Sequence, residues 1–584
     1  MSRKALKSSG QLLFRRFLAT ESSMLSEMGK KNLIYNDTDG YVMKSPYGSV
    51  SIPKLTIDQY VWKNISKWPN HTAIECGFTG RKYTYAKLRD NCCALACRLR
   101  NNMKLEKNDI VGICLPNVPE YAIAFLGSIE GGLIVTTVNP GYTSEEISRQ
   151  FMSCQPKAVF CLIDNYEVVK NACILAQLPN TKIIAIKIDS TASFPNGAID
   201  FSELTNSYGI NLSESSNFNK HVAHDDFILL PYSSGTTGLP KGVMLTHNNL
   251  VANCESIDVG LPHDPLVLPT TNDFQDVLPC FLPFFHIYGL MAMLIPKLAL
   301  GAKVISIPKY EINSFLRITK EQKATFLHLV PPIVIQLGNY EGAKAEHFES
   351  VRASMSGASN LAQADVERLK KIAPNVTFLQ GYGLTETSPV ASLSPHGIHN
   401  YATIGFPVPN VEMKISALND PSFKGVAPNE TGELLVRGPN VMKGYYKNDE
   451  ATKSMITKDN WLRTGDIGHY DENGLFYISD RLKELIKVNA NQVAPAELEG
   501  ILREHADILD AAVIGVKDPK CGEVPRAFVV RRPESNITEK DVQQFVAKQV
   551  IKYKQLTGGV QFVDQIPKTA TGKILRREVR RIFL

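Results

Sequence analysis

The feature that most constrains the fold is a repeated alternation of short apolar runs with longer mixed segments, which starts at Asp109. The runs have the length of buried strands, and the segments between them have the length of helices. Strands are predicted at 110–115, 133–137, 158–163, 182–188, 226–231, 277–282 and 302–307, and helices at 120–129 and 143–154. This order predicts βαβ units, and therefore an α/β fold in which helices cover doubly wound parallel sheets.

A different pattern begins after about residue 400. Short apolar segments at 413–416, 432–437 and 475–479 are separated by Gly, Pro, Asn and Asp. Closely spaced short strands with such turns are typical of small antiparallel or barrel-like units. We therefore expect a small β-barrel within 400–479.

A second compact region begins near Asp480. It has predicted helices at 494–503 and 538–552 and predicted strands at 511–516 and 526–531. About 100 residues suffice for an independent domain. The chain of 584 residues is therefore divided into a large N-terminal domain over 21–480 and a small α+β C-terminal domain over 481–584.

Residues 1–20 have the character of a targeting segment. They contain five basic residues, no acidic residue, several serines and an apolar face that includes Leu12 and Phe17. This composition is typical of a mitochondrial transit peptide. We expect the mitochondrial matrix, with the cytoplasm as the alternative location. A basic tail or a membrane-surface helix is the alternative interpretation of these residues.

Charge and hydropathy limit the partners. The five basic residues of the leader account for most of the formal net charge of +6. The nearly neutral remainder does not indicate a nucleic-acid-binding surface. No apolar run of about 18 residues occurs, so no transmembrane segment is expected, and peripheral membrane contact stays open.

The strongest motif is Tyr232-Ser-Ser-Gly-Thr-Thr-Gly-Leu-Pro-Lys-Gly242, which follows an apolar run. Its glycines permit tight turns, and its hydroxyl and backbone N–H groups can surround phosphate oxygens, with Lys241 adding positive charge. It is not a Walker A loop, because Pro240 precedes Lys241 and Gly242 follows it. The alternative is a surface linker. The phosphate-binding residues predicted here are Ser233, Ser234, Gly235, Thr236, Thr237 and Lys241.

A second motif, Gln380-Gly-Tyr-Gly-Leu-Thr-Glu386, follows a predicted strand at 376–379. Gly381 and Gly383 allow a ligand to approach the backbone. Tyr382 offers a flat face to a base, and the Glu386 carboxylate can hold a phosphate-bound metal ion. Taken alone, this motif is also compatible with a glycine-rich turn.

Two further segments contain charged residues near turns. Asp466 lies in Trp461-Leu-Arg-Thr-Gly-Asp466, and Arg481 in Asp480-Arg-Leu-Lys483. Lys573 ends a Thr- and Gly-containing segment that begins at Ile566. Each is individually compatible with a capped turn, a surface ion pair or a solvated lysine.

Together these motifs resemble the adenylate-forming superfamily, which includes acyl-CoA synthetases, 4-coumarate–CoA ligases and firefly-type luciferases. The resemblance extends from about residue 50 to the C-terminus. The segments Leu282-Pro-Phe-Phe-His-Ile-Tyr-Gly289 and Val330-Pro-Pro-Ile333 are similar to the branch of 4-coumarate–CoA ligases and luciferases. The resemblance implies ATP and CoA as co-substrates and Mg²⁺ as the cofactor.

The resemblance also implies roles for the motif residues at the nucleotide. Residues 233–241 would hold the β- and γ-phosphates, and Glu386 would bind Mg²⁺. Asp466 and Arg481 would hold the ribose. The residues expected to border the adenine and the α-phosphate are Gln380, Gly381, Tyr382 and Thr385.

The catalytic residue implied for the first step is Lys573, whose cation would stabilise the charge that accumulates when a carboxylate attacks the α-phosphate. His286 would lie beside the adenylate at the carboxylate entrance. Lys487 would contact the adenylate in the second step. Asp480 and Lys483 would form a hinge about which the C-terminal domain rotates between the two steps.

The same resemblance assigns the acyl pocket to Tyr288, Ala292 and Leu393, and CoA contacts to Lys309, Asn489 and Ala490. Two positions depart from the family pattern. Asn489-Ala490 stands where Lys-Gly is usual, which places the rate or acceptor of the second step in question because Ala restricts φ and Asn carries no charge. Ser359-Asn360 stands where Ala-Pro is common.

The expected function is an acyl-CoA synthetase that activates a medium- or long-chain fatty acid through an acyl-adenylate and forms the CoA thioester with release of AMP. The alternatives are an aromatic-acid ligase of the 4-coumarate type, a luciferase-like oxygenase and a non-catalytic nucleotide-binding descendant.

Overall fold

The computed structural model describes residues 27–188, 193–218, 223–233, 240–259, 267–359, 361–395, 400–418, 420–488, 491–569 and 572–584. The leader predicted at 1–20 and Asn489-Ala490 therefore lie outside the described residues, as do several residues of the phosphate motif and Asn360. Among the described residues, no helix combines the length and apolarity needed to cross a bilayer.

The largest sheet contains the βαβ alternation that the sequence shows from Asp109 onward. Its strands, in spatial order, are Tyr232–Ser233, Lys241–Thr246, Phe227–Leu229, Ile134–Thr137, Ile110–Cys114, Ala158–Leu162, Lys182–Ile186 and Ile199–Asp200, with Gly444–Tyr445 paired to Lys241–Thr246. The six strands from Phe227–Leu229 to Ile199–Asp200 run parallel, and the predicted α/β class is confirmed.

Two smaller sheets complete the α/β part. One contains Phe326–Leu329, Ala353–Ser356, Thr377–Gly383, Val390–Leu393 and Phe406–Pro407, with its first three strands parallel. The other contains Val277–Cys280, Lys303–Ser306, Thr72–Cys76 and Lys82–Thr84. The two strands at 72–84 were not predicted, because they precede the region in which the alternation is regular.

Helices cover these sheets. Their bounds are Ile57–Trp62, Tyr85–Cys97, Glu120–Glu130, Ser144–Cys154, Tyr166–Leu175, Phe201–Thr205, Ser215–Phe218, His247–Cys254, Ile295–Ala299, Ile312–Glu321, Pro331–Asn339, Gln363–Ile372 and Asp449–Met455. The helix Ser144–Cys154 shows why such a segment begins where it does: Thr143 and Glu146 form a capping box that satisfies free N–H groups of the first turn. Glu120–Glu130 is buried on every side, as expected for a helix between two layers.

The predicted barrel is wrong in one respect. Its strands form a six-stranded antiparallel sheet, with no pairing between the two outermost strands among the described residues. The order is Leu33–Asn36, Gly40–Lys44, Glu412–Ser416, Gly432–Arg437, Leu462–Tyr470 and Phe476–Arg481. The N-terminal hairpin adds two strands beside Glu412–Ser416, and Leu33–Asn36 is the edge strand. The sheet therefore stays open where the sequence predicted closure within 400–479.

The C-terminal residues form a separate α+β layer with its own apolar core. Its sheet contains Asn491–Val493, Ile486–Val488, Gly522–Arg531 and Ile508–Asp518, with Val560–Phe562 parallel to Gly522–Arg531. The helices are Pro495–Glu504, Glu539–Ala547 and Arg576–Phe583. The second helix ends at Ala547, short of the predicted end at 552, and a separate single turn covers Lys552–Lys554.

Candidate active site

A cleft of about 170 Å³ lies between the large domain and the C-terminal layer. Its floor is the carboxyl end of Thr377–Gly383, where Gln380, Gly381 and Tyr382 line the cavity. Lys573 lines it from the C-terminal side. Ligands of α/β proteins bind at this end of parallel strands, because the loops that follow the strands meet there.

Three of the predicted nucleotide residues form one hydrogen-bonded group. The Tyr382 hydroxyl donates to Asp466 Oδ2 at 2.6 Å, and Arg481 Nε lies 2.9 Å from Asp466 Oδ1. Asp466 and Arg481 are direct register partners on neighbouring antiparallel strands. Burial, and then the Asp466 charge, raises the pKa of Tyr382 well above its usual value, so its hydroxyl stays a donor. Both oxygens of the Asp466 carboxylate are thereby oriented before any ligand binds.

The flanks of the phosphate motif converge on one carboxylate. Ser233 Oγ donates to Glu386 Oε1 at 3.1 Å, and the Tyr445 hydroxyl donates to the same oxygen at 2.9 Å. The Lys241 ammonium lies 5.1 Å from the centre of the Tyr445 ring. Ser234, Gly235, Thr236 and Thr237 lie outside the described residues. The described flanks thus place a hydroxyl, a carboxylate and a cation together, as binding a metal-bound polyphosphate requires.

The donor set at Glu386 fits Mg²⁺ bound mainly through phosphate oxygens. Glu386 is buried, and the described hydrogen bonds engage Oε1 alone. No cluster of three or more acidic, Cys or His side chains suited to a metal occurs among the described residues. Mg²⁺ commonly takes one or two protein carboxylates and completes its shell with water and substrate phosphates.

Lys573 enters the cleft on a tight hairpin. The Lys573 N–H donates to Thr569 Oγ1 at 3.0 Å, and the N–H of Thr569 donates to the Lys573 carbonyl at 2.8 Å. Gly572 has φ +83°, and a Cβ at this position would lie 2.6 Å from Pro332 of the large domain. Burial lowers the pKa of Lys573, and the nearby Arg481 charge lowers it further. Gly572 therefore allows the close approach that brings the ammonium into the cleft.

His286 lies within the electrostatic reach of Lys573. Burial is the main cause that lowers the pKa of His286 to about 4, and the Lys573 charge adds to it. The backbone N–H of Tyr288 donates to His286 Nδ1 at 3.2 Å, so the proton of the neutral ring is on Nε2. His286 is thus a neutral N–H donor at physiological pH.

The residues predicted to line the acyl pocket lie in the main apolar core. Tyr288, Ala292 and Leu393 are all buried. A Cβ at Gly357 would lie 3.5 Å from the Tyr288 ring, and a Cβ at Gly381 would lie 3.1 Å from Leu393. Two glycines therefore separate this core from the cleft. Gly357 was not predicted as a site residue, because its role depends on a neighbour distant in sequence.

The lysines predicted to contact CoA, to form the hinge or to act in the second step lie elsewhere. Lys309, Lys483 and Lys487 are exposed, and none of them lines the cleft. Lys487 is on the strand Ile486–Val488 of the C-terminal layer. Thr385, which was predicted to border the nucleotide, begins the single turn Thr385–Thr387 that contains Glu386. In this arrangement the cleft contains Lys573 and excludes Lys487.

Next to the hinge, Arg576 forms ion pairs with Glu484 and Glu499, which the sequence did not predict. This set of ion pairs is called the Arg576 clasp below. Asp480 Oδ2 accepts from the Ala496 N–H at 2.8 Å, and burial raises the pKa of Asp480 to about 6. Arg576 Nη2 lies 2.9 Å from Glu499 Oε1, and Nη1 lies 3.4 Å from Glu484 Oε2. Arg576 is three residues after Lys573, and Glu484 directly follows the hinge residue Lys483. The Arg576 clasp therefore links the Lys573 hairpin to the segment after the hinge.

Comparisons with known proteins identify the family to which the chain is similar. The family model described as "AMP-binding enzyme" matches residues 61–446, and "AMP-binding enzyme C-terminal domain" matches residues 497–573. The chain is 36% identical to 4-coumarate–CoA ligase 1 of Arabidopsis thaliana over 573 residues, covering 96% of this chain and 99% of that protein. It is 39% identical to 4-coumarate–CoA ligase 2 of Nicotiana tabacum over 548 residues, covering 92% of this chain and 96% of that protein.

Solved structures share the fold. ATP-bound MatB from Rhodopseudomonas palustris superposes with a TM-score of 0.78 at 25% identity, covering 91% of this chain and 99% of that one. A benzoate CoA ligase from Burkholderia xenovorans LB400 has a TM-score of 0.77 at 23% identity, covering 90% and 100%, respectively.

Proposed function

We propose that this chain, which belongs to the AMP-binding enzyme family of adenylate-forming ligases, is an ATP-dependent, AMP-forming aryl-CoA ligase. Its substrate would be a phenylpropenoic acid of the 4-coumarate kind. The observation that carries the proposal is the cleft that the Tyr382–Asp466–Arg481 group and Lys573 line together. His286 lies near enough to Lys573 for the lysine charge to lower its pKa.

The choice of acid departs from the sequence expectation. A medium- or long-chain fatty acid was expected from the branch, the leader and the small Ala292. The curated relatives reported above are named for 4-coumarate, and they favour the aromatic alternative. Ala292 does not discriminate, because a small side chain leaves room for either acid.

In the first step, a carboxylate oxygen of the acid attacks the α-phosphorus of ATP. The new bond joins that oxygen to phosphorus, and pyrophosphate leaves with the electrons of the broken P–O bond. Lys573 holds its cation where charge accumulates in this transition state. Asp466 and Arg481 hold the ribose, and Tyr382 lies against the base. Because His286 is neutral, its Nε2–H donates to an oxygen of the reacting carboxylate without competing with Lys573 for charge.

Glu386 would hold Mg²⁺ beside the β- and γ-phosphates, where the ion neutralises phosphate charge. Ser233, which donates to Glu386, and Lys241, which lies over the Tyr445 ring, would border the same phosphates. The Tyr445 hydroxyl keeps Glu386 Oε1 oriented, and the described side-chain hydrogen bonds leave Oε2 unengaged.

In the second step, the CoA thiol releases its proton to water and its sulfur bonds to the acyl carbon. The bond between that carbon and the AMP oxygen breaks, and AMP leaves with the electron pair. Lys573 occupies the cleft in this structure, and Lys487 is exposed outside it. We therefore place a rotation about Asp480–Lys483 between the steps, which withdraws Lys573 and brings Lys487 to the adenylate. Lys309 and residues 489–490 would then border CoA.

The test is a panel of acids supplied with MgATP and CoA to the chain lacking residues 1–20. The panel contains 4-hydroxycinnamic, cinnamic, benzoic, octanoic and hexadecanoic acids, and pyrophosphate, AMP and thioester are each measured. The aryl-ligase proposal expects thioester and AMP in equal amounts, with the phenylpropenoic acids fastest. Fastest turnover of hexadecanoic acid would reinstate the fatty-acid function, and pyrophosphate without thioester would identify a redirected second step.

Residues 1–20 are proposed to direct the chain to mitochondria, on the strength of their basic, acid-free composition. A fluorescent fusion of the full chain should colocalise with a matrix marker, and deletion of residues 1–20 should disperse it. Unchanged mitochondrial signal after the deletion would contradict the assignment.

A further inference from the structure

The helix Pro331–Asn339 of the large domain is contacted by the C-terminal layer at both of its ends. At its start, a Cβ at Gly572 would lie 2.6 Å from Pro332. At its end, Arg532 Nη1 donates to Asn339 Oδ1 at 3.1 Å. The rise of an α-helix places these two contacts about 10 Å apart along the helix axis. One helix of the large domain therefore holds the C-terminal layer at two points.

Arg532 makes its contact from a partly buried position directly after the strand Gly522–Arg531. Its backbone N–H donates to the Asp507 carbonyl at 2.9 Å, which fixes the chain at this point. Burial lowers the pKa of Arg532, and the Arg368 charge lowers it further. Hydrogen bonds from a charged donor contribute more to stability than neutral ones. The bond to Asn339 therefore stabilises the docked arrangement of the C-terminal layer.

A carboxylate on a neighbouring helix of the large domain lies close to the same boundary. Asp365 is on the helix Gln363–Ile372, which packs so closely on Pro331–Asn339 that a Cβ at Gly338 would lie 3.2 Å from Arg368 Cβ. Asp365 is 2% exposed, and its Oδ1 lies 3.1 Å from Arg368 Nη1. Its Oδ2 is buried without a hydrogen-bond partner among the described residues. This half of the carboxylate is available to charges across the boundary.

Those charges come from the C-terminal layer. Arg503 and Asp365 both line the cleft, and Arg503 Nε is also buried without a partner among the described residues. Burial raises the pKa of Asp365, and the Arg503 charge opposes this most strongly, with Arg532 acting in the same direction. Asp510 acts against it, but the Asp510 carboxylate lies 2.6 Å from the Lys568 ammonium. Two arginines of the C-terminal layer are thus attracted to one carboxylate of the large domain.

We propose that four side chains form an interdomain latch that holds Lys573 in the cleft: Asn339, Asp365, Arg503 and Arg532. They are positioning residues, because they act through the placement of the C-terminal layer. The inference rests on the proposed rotation between the two steps and identifies what opposes that rotation. A weaker latch reduces the population with Lys573 in the cleft, so it should slow the first step and accelerate the second.

The experiment measures the two steps separately on the full chain. Pyrophosphate release is measured in a single turnover with MgATP and 4-hydroxycinnamic acid, and thioester formation is measured from preformed 4-hydroxycinnamoyl-adenylate and CoA. Arg532→Met removes the charged donor, whereas Asn339→Asp keeps the acceptor and adds a charge opposite to that of Arg532. The matched control is Arg531→Met, because Arg531 is exposed and lies over the Phe562 ring within the C-terminal layer.

The position of the C-terminal layer is measured independently of turnover. Spin labels are attached at Lys371→Cys in the large domain and Lys540→Cys in the C-terminal layer, both of which are exposed positions. The background carries Cys521→Ser, because the remaining native cysteines are buried. Pulsed electron spin resonance then gives the distribution of distances between the labels. The chain with an intact latch should show one main distance, and Arg532→Met should add a second.

One hydrogen bond from a charged donor corresponds to about a tenfold change in the equilibrium between the two arrangements. Arg532→Met should therefore accelerate thioester formation from the adenylate about fivefold and slow pyrophosphate release about twofold. Asp365→Asn should act in the same direction with a smaller effect. Asn339→Asp should slow thioester formation by at least about twofold, since an ion pair strengthens the latch. Arg531→Met should leave both steps unchanged.

Equal slowing of both steps by Arg532→Met, or an unchanged distance distribution in this variant, overturns the latch. Because the distances do not depend on turnover, the two proposals fail separately. A second distance in Arg532→Met without thioester from any acid would support the latch and contradict the ligase function. Thioester formation with unchanged distances would support the ligase and overturn the latch. If thermal unfolding shows that Arg532→Met does not fold, the opposite effect expected of Asn339→Asp carries the test.

Discussion

The two sides of the cleft are held in different ways. On the floor, Asp466 is fixed by strand register with Arg481, the last residue of the strand Phe476–Arg481, and by the Tyr382 hydroxyl. On the opposite side, Lys573 depends on a short hairpin, on contact between Gly572 and Pro332, and on the clasp at Arg576. No described carboxylate lies within ion-pairing distance of its ammonium. Binding geometry is thus built into a sheet, whereas the catalytic charge depends on how the C-terminal layer is docked.

The largest effect should come from removing the cation alone. Lys573→Ala is expected to slow single-turnover pyrophosphate release by about 10²–10³-fold, the usual size for a lost transition-state donor, and to change the nucleotide Kd by less than about threefold. Rapid quench and nucleotide titration measure the two quantities. Lys540→Ala, an exposed lysine of the same domain, is the control. If Lys573→Ala lost as much nucleotide affinity as pyrophosphate-release rate, the proposed difference between a binding side and a catalytic side of the cleft would be wrong.

On the floor of the cleft, we expect a substitution to weaken nucleotide binding. Asp466→Ala leaves the Arg481 charge and the Tyr382 hydroxyl without their shared partner, so the nucleotide Kd should rise by about 10–100-fold. Asp466→Asn, which still accepts a hydrogen bond from Tyr382, should have a nucleotide Kd between those of the wild-type chain and Asp466→Ala. The nucleotide titration used for Lys573→Ala gives the comparison. Unchanged affinity in Asp466→Ala would remove this group from nucleotide binding.

A smaller effect on pyrophosphate release is expected when the C-terminal layer cannot pack closely against the large domain while Lys573 itself is kept. Gly572→Ala introduces a Cβ 2.6 Å from Pro332 at φ +83°, so pyrophosphate release should fall about tenfold with nucleotide Kd unchanged. Gly559→Ala is a matched control, since Gly559 has φ +95° and no described atom within 4 Å of the position that a Cβ would take. The double variant Gly572→Ala with Pro332→Ala should recover part of the rate. Equal losses at both glycines would indicate backbone strain instead of blocked docking.

The smallest effect concerns pH at the hinge. The pKa of Asp480 is about 6 in the folded chain against 3.8 for the free group, so its contribution to stability is full below about pH 4 and is lost as the pH rises through 6. Asp480→Asn should therefore gain unfolding free energy relative to wild type by about 2–3 kcal/mol between pH 4 and pH 7. Urea unfolding of both proteins at each pH measures this difference in unfolding free energy. Parallel pH profiles for the two proteins would show that Asp480 is not desolvated at the hinge.

The sequence predicted features that depend on local pattern. The parallel strands Ile110–Cys114, Ile134–Thr137 and Ala158–Leu162 lie close to their predicted bounds, because buried strands and amphipathic helices leave short-range periodicities. The motif at Gln380–Glu386 was predicted to follow a strand at 376–379, but the strand Thr377–Gly383 extends into the motif as far as Gly383. Turn chemistry and strand length are properties of neighbouring residues.

Features that depend on distant pairs were not predicted. The hairpin Leu33–Lys44 joins a sheet whose other strands begin at Glu412, and nothing local marks that pairing. The Arg576 clasp and the contact of Gly572 with Pro332 are also interactions between remote positions.

The central claim is that one cleft joins the acid to the α-phosphate before CoA is used. Its most direct test supplies 4-hydroxycinnamic acid labelled with ¹⁸O in the carboxylate, together with MgATP and CoA. The proposed route predicts one ¹⁸O atom in each AMP and none in pyrophosphate, because the bond between the carboxylate oxygen and phosphorus survives when the thiol attacks the acyl carbon. Unlabelled AMP, or ADP as the nucleotide product, would contradict it.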